Sequence, residues 1–260
     1  MNKTKEIKID QLSIKIYGSR TKMGSAAAKD VAGRIRQLLK EKEEINMIFA
    51  AAPSQNEFLN TLSKEPGIDW QRIHAFHMDE YIGLEENHPQ RFSNFLKDKI
   101  FDKVNFNKVY LLNTNGQGPE TTCENYAELL RRFPPDIVCM GIGENTHVAF
   151  NDPHVADFND ADLIKLVSLD EISRQQQVHD GCFATLEEVP KTAVTLTVPM
   201  LMSAKYVYCI VPGINKAEAV YHTLNEEIGE RYPSTSLRRH PHAMLYLDEE
   251  SGSKVRYKIN

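Results

Sequence analysis

Short, almost uninterrupted apolar runs recur along this chain, and longer stretches with apolar residues every three or four positions lie between many of them. The runs are LSIKIY (12–17), INMIFAAA (45–52), IHAFHM (73–78), VYLLN (109–113), PDIVCMGIG (135–143), LIKLVSL (163–169), AVTLTV (193–198), YVYCIV (206–211) and AMLYLD (243–248). A strand that is apolar on both sides must be covered on both sides, and a parallel sheet wrapped by helices does this. The intervening segments supply the covers. They are 20–43 with AAAKDVAGRIRQLLKEK, PSQNEFLNTLSKE (53–65) with Ser54 as a helix cap, HPQRFSNFLKDKIF (88–101) with Pro89 placed early, PETTCENYAELLRRF (119–133) and NKAEAVYHTLNEE (215–227). The expected fold class is α/β, a mostly parallel sheet with helices on both faces. No linker rich in Gly, Pro or Ser divides the 260 residues, so a single domain over 1–260 is expected.

Composition removes several function classes. A net charge of −5 argues against a broad nucleic-acid footprint, although it allows a local basic pocket. No apolar run approaches the ~20 residues that span a bilayer, and MNKTKEIKID lacks the apolar core of a signal peptide. The four cysteines have no ligand spacing. Cys139 and Cys209 sit inside apolar runs and read as buried hydrophobes in a reducing compartment. A soluble cytoplasmic protein is expected, with no membrane and no nucleic-acid partner. A homo-oligomer stays open.

In a parallel sheet of this kind, ligands bind beyond the carboxyl ends of the strands, where strand order reverses. Four strand ends carry polar chemistry: PSQ after INMIFAAA, Asp79 and Glu80 after IHAFHM, GIGENTHVAFNDP (141–153) after PDIVCM, and PGINK after YVYCIV. All four are expected to face one crevice. Each is weak alone. An Asp-Glu pair is more often a solvated turn than a base. A lone loop His is more often structural, although Asn145 and Asp152 bracket His147 and a carboxylate on the imidazole would set its tautomer. Gly141 and Gly143 allow a sharp turn and close approach to a ligand, but Thr146 stands where a dinucleotide fingerprint has its third glycine. Lys216 opens a helix and is suited to a phosphate, but by itself reads more readily as an exposed helix lysine. Ser54 and Gln55 are either a cap or an anion cradle. No metal is expected, since His147, His179, His240 and His242 follow no ligand spacing. No GxSxG nucleophile elbow is present.

Together, FHMDEYIGL (76–84) and GIGENTHVAFNDP (141–153) resemble the glucosamine-6-phosphate deaminase family, whose members carry phrases close to FNMDEYVGL and GxGxDGHIAFNEP. The likeness runs from about residue 10 to 250 and keeps the order of the motifs. It implies a modified Rossmann-like fold and a sugar-phosphate substrate. The implied reaction is an aldose–ketose isomerisation with loss of ammonia, giving fructose 6-phosphate without metal or redox cofactor. The resemblance makes Asp79 the base between C2 and C1, His147 the ring-opening group, and Asp152 the residue that orients it, where relatives usually have Glu. Lys216 matches a phosphate-binding lysine. The expected catalytic set is therefore Asp79, His147, Asp152 and Asn145. The expected substrate-binding set is Ser54, Gln55, Glu80, Gly141, Gly143, Arg174 and Lys216.

The departures fall unevenly. Asn145 replaces the usual Asp, so Asp152 alone must stabilise an imidazolium. AAPSQ (51–55) replaces a loop like TGGTP, which restricts how closely backbone can wrap a phosphate. HDGCF (179–183) replaces a phrase like NSRFF that brings a phosphate-binding Arg, and Arg174 aligns with a different arginine. The reading is an amino-sugar-phosphate deaminase or a relative with altered phosphate recognition. A non-catalytic sugar-phosphate binder is the alternative. 6-Phosphogluconolactone hydrolysis is a further one, disfavoured because those relatives read GHTASLFP where this chain has THVAFNDP.

Overall fold

A computed structural model describes residues 5–116 and 118–255. Residues 1–4, 117 and 256–260 of the expected 1–260 unit, including the start of the segment read for a signal peptide, lie outside that description. The chain opens with a hairpin of β1 (Lys5–Ile9) and β2 (Leu12–Tyr17). α1 (Arg20–Glu41) follows, and Ser19 Oγ caps it by accepting from Lys22 N at 3.3 Å. Its buried stripe of Met23, Ala27, Val31, Ile35 and Leu38 has the helical period seen in the sequence.

Then come β3 (Ile45–Phe49), a 3₁₀ turn (Pro53–Gln55), α2 (Asn56–Leu62), β4 (Ile73–His77) and β5 (Asp79–Tyr81). They are followed by α3 (Phe92–Leu96), which runs into a π-helical turn (Lys97–Phe101), then β6 (Lys108–Tyr110), α4 (Pro119–Arg132), β7 (Ile137–Met140) and β8 (Ile164–Ser168). The last part holds α5 (Glu171–His179), β9 (Thr192–Leu196), α6 (Val198–Met202), β10 (Tyr206–Val211), α7 (Ala217–Asn225), a 3₁₀ segment (Pro233–Arg239) and β11 (Ala243–Asp248).

Among the described residues the main sheet has eight strands in the order β1-β2-β11-β10-β7-β3-β4-β6, parallel except for the β1–β2 hairpin. Its α/β class is the expected one. Alternate residues of each strand feed two cores. Met47, Phe49, Ala75 and Cys139 pack with α1 and α2. Ile48, Phe76, Val138 and Met140 pack with α4, α7 and the second sheet. Phe49 is fully buried against Phe101 and Phe106, so Phe49→Ala should cost about 3–5 kcal/mol. The chain travels outward through β3, β4 and β6. It then returns to β7 and travels the other way through β10 and β11, so strand order reverses between β3 and β7.

Four local expectations are corrected. LIKLVSL and AVTLTV were expected with the other strands, but they form β8 and β9 of a separate antiparallel sheet, ordered β5-β9-β8. β8 buries Ile164 and Val167, which lie on opposite faces, and exposes Leu166 and Ser168. Asp79 and Glu80 do not lie in a loop. They are the first residues of β5, paired with Thr195 and Val194, and the chain changes sheets at Met78. Pro89 precedes α3 by a turn, because Glu80 fixes the helix start at Phe92. Ser54 caps nothing. It lies inside the 3₁₀ turn, whose first residue is Pro53.

Candidate functional site

A cleft opens at the strand-order reversal, where the ends of β3, β4 and β7 meet. Ala52, Gln55, Asp79, Gly141, His147 and Gln177 are among its lining residues. Its volume is about 60 Å³, well below the ~300–1,000 Å³ of pockets that enclose a whole small ligand. A cleft of this size encloses only part of a small molecule.

Asp79 is 6 % exposed, and among the described residues no donor reaches its carboxyl group. Burial, reinforced by the charge of Glu80, pushes that carboxyl well above the usual carboxylate range. A carboxyl of this kind binds a proton tightly and is suited to moving one. Glu80, expected in the substrate set, is fully buried and faces away. Its oxygens accept from Tyr81 N, Phe92 N and Ser93 N, each at 3.0 Å, and from Ser93 Oγ at 2.7 Å, with Arg91 Nε 3.6 Å away. It caps α3 and pins β5, so its role is to hold Asp79's strand in place.

His77 escaped the sequence reading. Leu112 N donates to its Nε2 at 2.8 Å, so the ring proton sits on Nδ1, which donates to the backbone oxygen of Asp79 at 3.0 Å. Burial pushes its pKa down to about 4, which keeps the ring neutral. No sequence signal separates this histidine from any other in an apolar run.

His147 lies against Gly143. A Cβ there would fall 2.1 Å from His147 Cε1, so the glycine is required by the ring and not only by the turn. Thr146 holds φ 71° in the left-handed region, a strain of about 1–2 kcal/mol for a non-glycine residue. His147 Nδ1 lies 2.7 Å from Asn145 Oδ1 and 3.1 Å from Asp152 Oδ1. Asn145 Nδ2 donates to Asp152 Oδ1 at 3.0 Å, which fixes the amide orientation. Both neighbours of Nδ1 are acceptors, so Nδ1 carries the proton and Nε2 is the free ring nitrogen. Burial alone would raise the Asp152 carboxyl, but bonds from His147, Asn145 and Asp170 N hold it below the usual range. Asp170 also caps α5 through Ile172 N and Ser173 N, so the α5 N-terminus is tied to the imidazole through one carboxylate. α5 itself was missed. Its polar sequence EISRQQQVH gives a weak apolar stripe, and the Asp170 cap was its one local signal.

Toward the start of α7, Lys216 is 6 % exposed and its Nζ has no partner among the described residues. Burial lowers its pKa, against the pull of the Asp180 and Glu144 carboxylates. Gln55 Nε2 donates to Ile210 O at 3.1 Å and Ser54 Oγ at 3.2 Å, leaving Oε1 buried without a donor. These two side chains fill the space over Gly141, where a Cβ would meet Gln55 Nε2 at 3.2 Å. Arg174, expected to bind substrate, instead ties α5 to the turn before β9. Its guanidinium donates to Leu186 O at 2.5 Å and to Val189 O at 3.0 and 3.2 Å. Among the described residues no three His, Cys, Asp or Glu side chains group to hold a metal ion.

A family model described as glucosamine-6-phosphate isomerases/6-phosphogluconolactonase matches residues 18–246. The chain is 34% identical to a glucosamine-6-phosphate deaminase of Exiguobacterium sp. over 191 residues, covering 74% of this chain and 73% of that protein. It is 31% identical to a glucosamine-6-phosphate deaminase of Bacillus cereus over 217 residues, covering 84% and 80%. Among solved structures, a monomeric glucosamine-6-phosphate deaminase superposes with TM-score 0.83 at 26% identity, over 92% of this chain and 98% of that one. A 6-phosphogluconolactonase from Thermotoga maritima superposes with TM-score 0.74 at 19% identity, over 91% and 99%.

Proposed function

The chain belongs to the glucosamine-6-phosphate isomerase/6-phosphogluconolactonase family, and from that premise we propose that it converts glucosamine 6-phosphate and water to fructose 6-phosphate and ammonia. The observation that carries this reading is the meeting of a partnerless, buried Asp79 and the free ring nitrogen of His147 on one cleft.

The residues divide the proton transfers. His147 Nε2 takes the proton of the C1 hydroxyl and returns it to the ring oxygen, which opens the sugar. Asp152 and Asn145 hold the imidazolium formed in between. Asp79 then takes the proton from C2 and delivers it to C1 while a proton of the amino group passes to O1, which leaves C1 as CH2OH and an imine at C2. Water adds at C2, the C–N bond breaks and ammonia departs, so one water is consumed for each ammonia released. Glu80, His77 and Asp170 act through their neighbours: the first two hold Asp79's strand, and the third holds Asp152.

The likeness to 6-phosphogluconolactonases at 19% identity speaks to fold alone, and no feature of the cleft favours lactone hydrolysis. Among the described residues no helix is long and apolar enough to cross a membrane. The four cysteines are free, and a reducing cytoplasm suits them. Following ammonia release by the purified chain tests the proposal. Asp79→Asn should lower kcat by about 10⁴-fold. Equal rates for wild type and variant would overturn it.

A further inference from the structure

Resting on the proposed reaction at C1 and C2, the other end of the cleft carries a second conclusion. Ser54 and Gln55 of the loop after β3 line it, and Lys216, with Glu144 of the loop after β7 and Asp180 at the end of α5 acting on it, lies outside that lining. An anion site at strand ends is built from free backbone N–H groups and converging cations. Here several of the N–H groups are spent. Gln55 N donates to Ala52 O at 2.9 Å, Lys216 N to Gly213 O at 3.1 Å, and Glu144 N to Gln176 Oε1 at 2.8 Å. Gly213 N donates to the Asp248 carboxylate, and Pro53 has no N–H to give. α2 is only seven residues long. None of the lining residues of the cleft is Lys or Arg.

Besides Lys216 Nζ, unpartnered among the described residues, this end offers acceptors. Gln55 Oε1 and Glu144 Oε1 are buried and unpartnered. A phosphate dianion is itself acceptor-only and cannot satisfy them, whereas a hydroxyl group donates as well as accepts. Lys216, the buried cation at this end, already has two carboxylates acting on it. We propose that this end of the cleft receives a sugar hydroxyl as readily as a phosphate, so that the chain also deaminates and isomerises the unphosphorylated 2-amino-2-deoxyhexose. The reaction is otherwise the same. The C2–N bond breaks, the oxygen of water becomes the ketone oxygen, and glucosamine plus water yields fructose plus ammonia without any redox partner.

The test compares kcat/KM for glucosamine and for glucosamine 6-phosphate with the full purified chain, reading ammonia and ketose together. Sites whose buried polar groups depend on one substrate group reject the analogue lacking it by about 10⁴-fold. The expected ratio here is within about 10²-fold, and a larger preference for the phosphate overturns the proposal. If neither sugar releases ammonia, the proposed reaction fails. The distal-end proposal is then decided by the calorimetric Kd values of the same two sugars, against the same hundredfold limit. Asp180→Asn removes one of the carboxylates acting on Lys216. It should move the ratio at least about threefold toward the phosphate, and a ratio that does not move counts against the proposal.

Discussion

At the reacting end, the side-chain atoms of Asn145 and Asp152 and the Nδ1 of His147 each have a partner within 3.1 Å. At the far end, Lys216 Nζ, Gln55 Oε1 and Glu144 Oε1 are buried with none among the described residues. The first region is organised before any ligand arrives, as a group that moves protons must be. The second is left unsatisfied, as a group that waits for a ligand to complete it. The difference also separates what the family resemblance predicts well from what it predicts poorly. Asp79 and His147 match the family phrases, with Asn145 and Asp152 standing where relatives usually have Asp and Glu. Around the far end Lys216 matches, whereas AAPSQ and HDGCF do not.

Asp79 is the exception at the reacting end, and it gives the largest effect. Besides its loss of rate, Asp79→Asn should raise the melting temperature at neutral pH. Because the folded-state pKa is raised, the native chain holds more protons than the unfolded chain above the ordinary value of 3.8, so stability falls as pH rises through that window. The amide removes this slope. A thermal scan showing no gain would mean the carboxyl is solvated and the reacting end is looser than described.

Gly143→Ala is expected to come next, with kcat down by about 10²-fold or more, because the new methyl displaces the His147 ring by at least the ~1 Å that ruins alignment. A near wild-type rate would break the claim that the ring is held rigidly. Asp152→Asn should cost about 10²-fold. That is less than the ~10⁴-fold of an Asp→Asn change in a Ser-His-Asp triad, because Asn145 Oδ1 still accepts from Nδ1. Its loss should be greatest where an imidazolium must form, so the pH–rate profile should change shape as well as height.

The smallest effect belongs to the far end. Lys216→Met should raise KM for glucosamine 6-phosphate by about tenfold or less, with a larger effect on KM than on kcat. It should also stabilise the fold at neutral pH. A lysine whose pKa is lowered by burial binds fewer protons folded than unfolded, so stability climbs as pH rises toward 10.5, and methionine removes that climb. A KM increase of a thousandfold would sharpen the far end into a true phosphate grip and erase the contrast.

Much of this was legible without coordinates. Apolar runs such as INMIFAAA and YVYCIV can only be buried on both faces, and their alternation with amphipathic segments dictated a helix-covered, mostly parallel sheet. The DEY and GIGENTH phrases pointed to the groups proposed to move protons, because such chemistry needs residue types that a sequence displays directly. The three-dimensional arrangement alone decided the rest. It put β8 and β9 into a second sheet and made β5 a strand. It turned Glu80 and Arg174 inward to backbone partners, and it brought His77 and the α5 cap under the site. Those outcomes depend on partners 12 or more residues away in sequence, and no local periodicity or motif encodes which donor a buried carboxylate or guanidinium will meet.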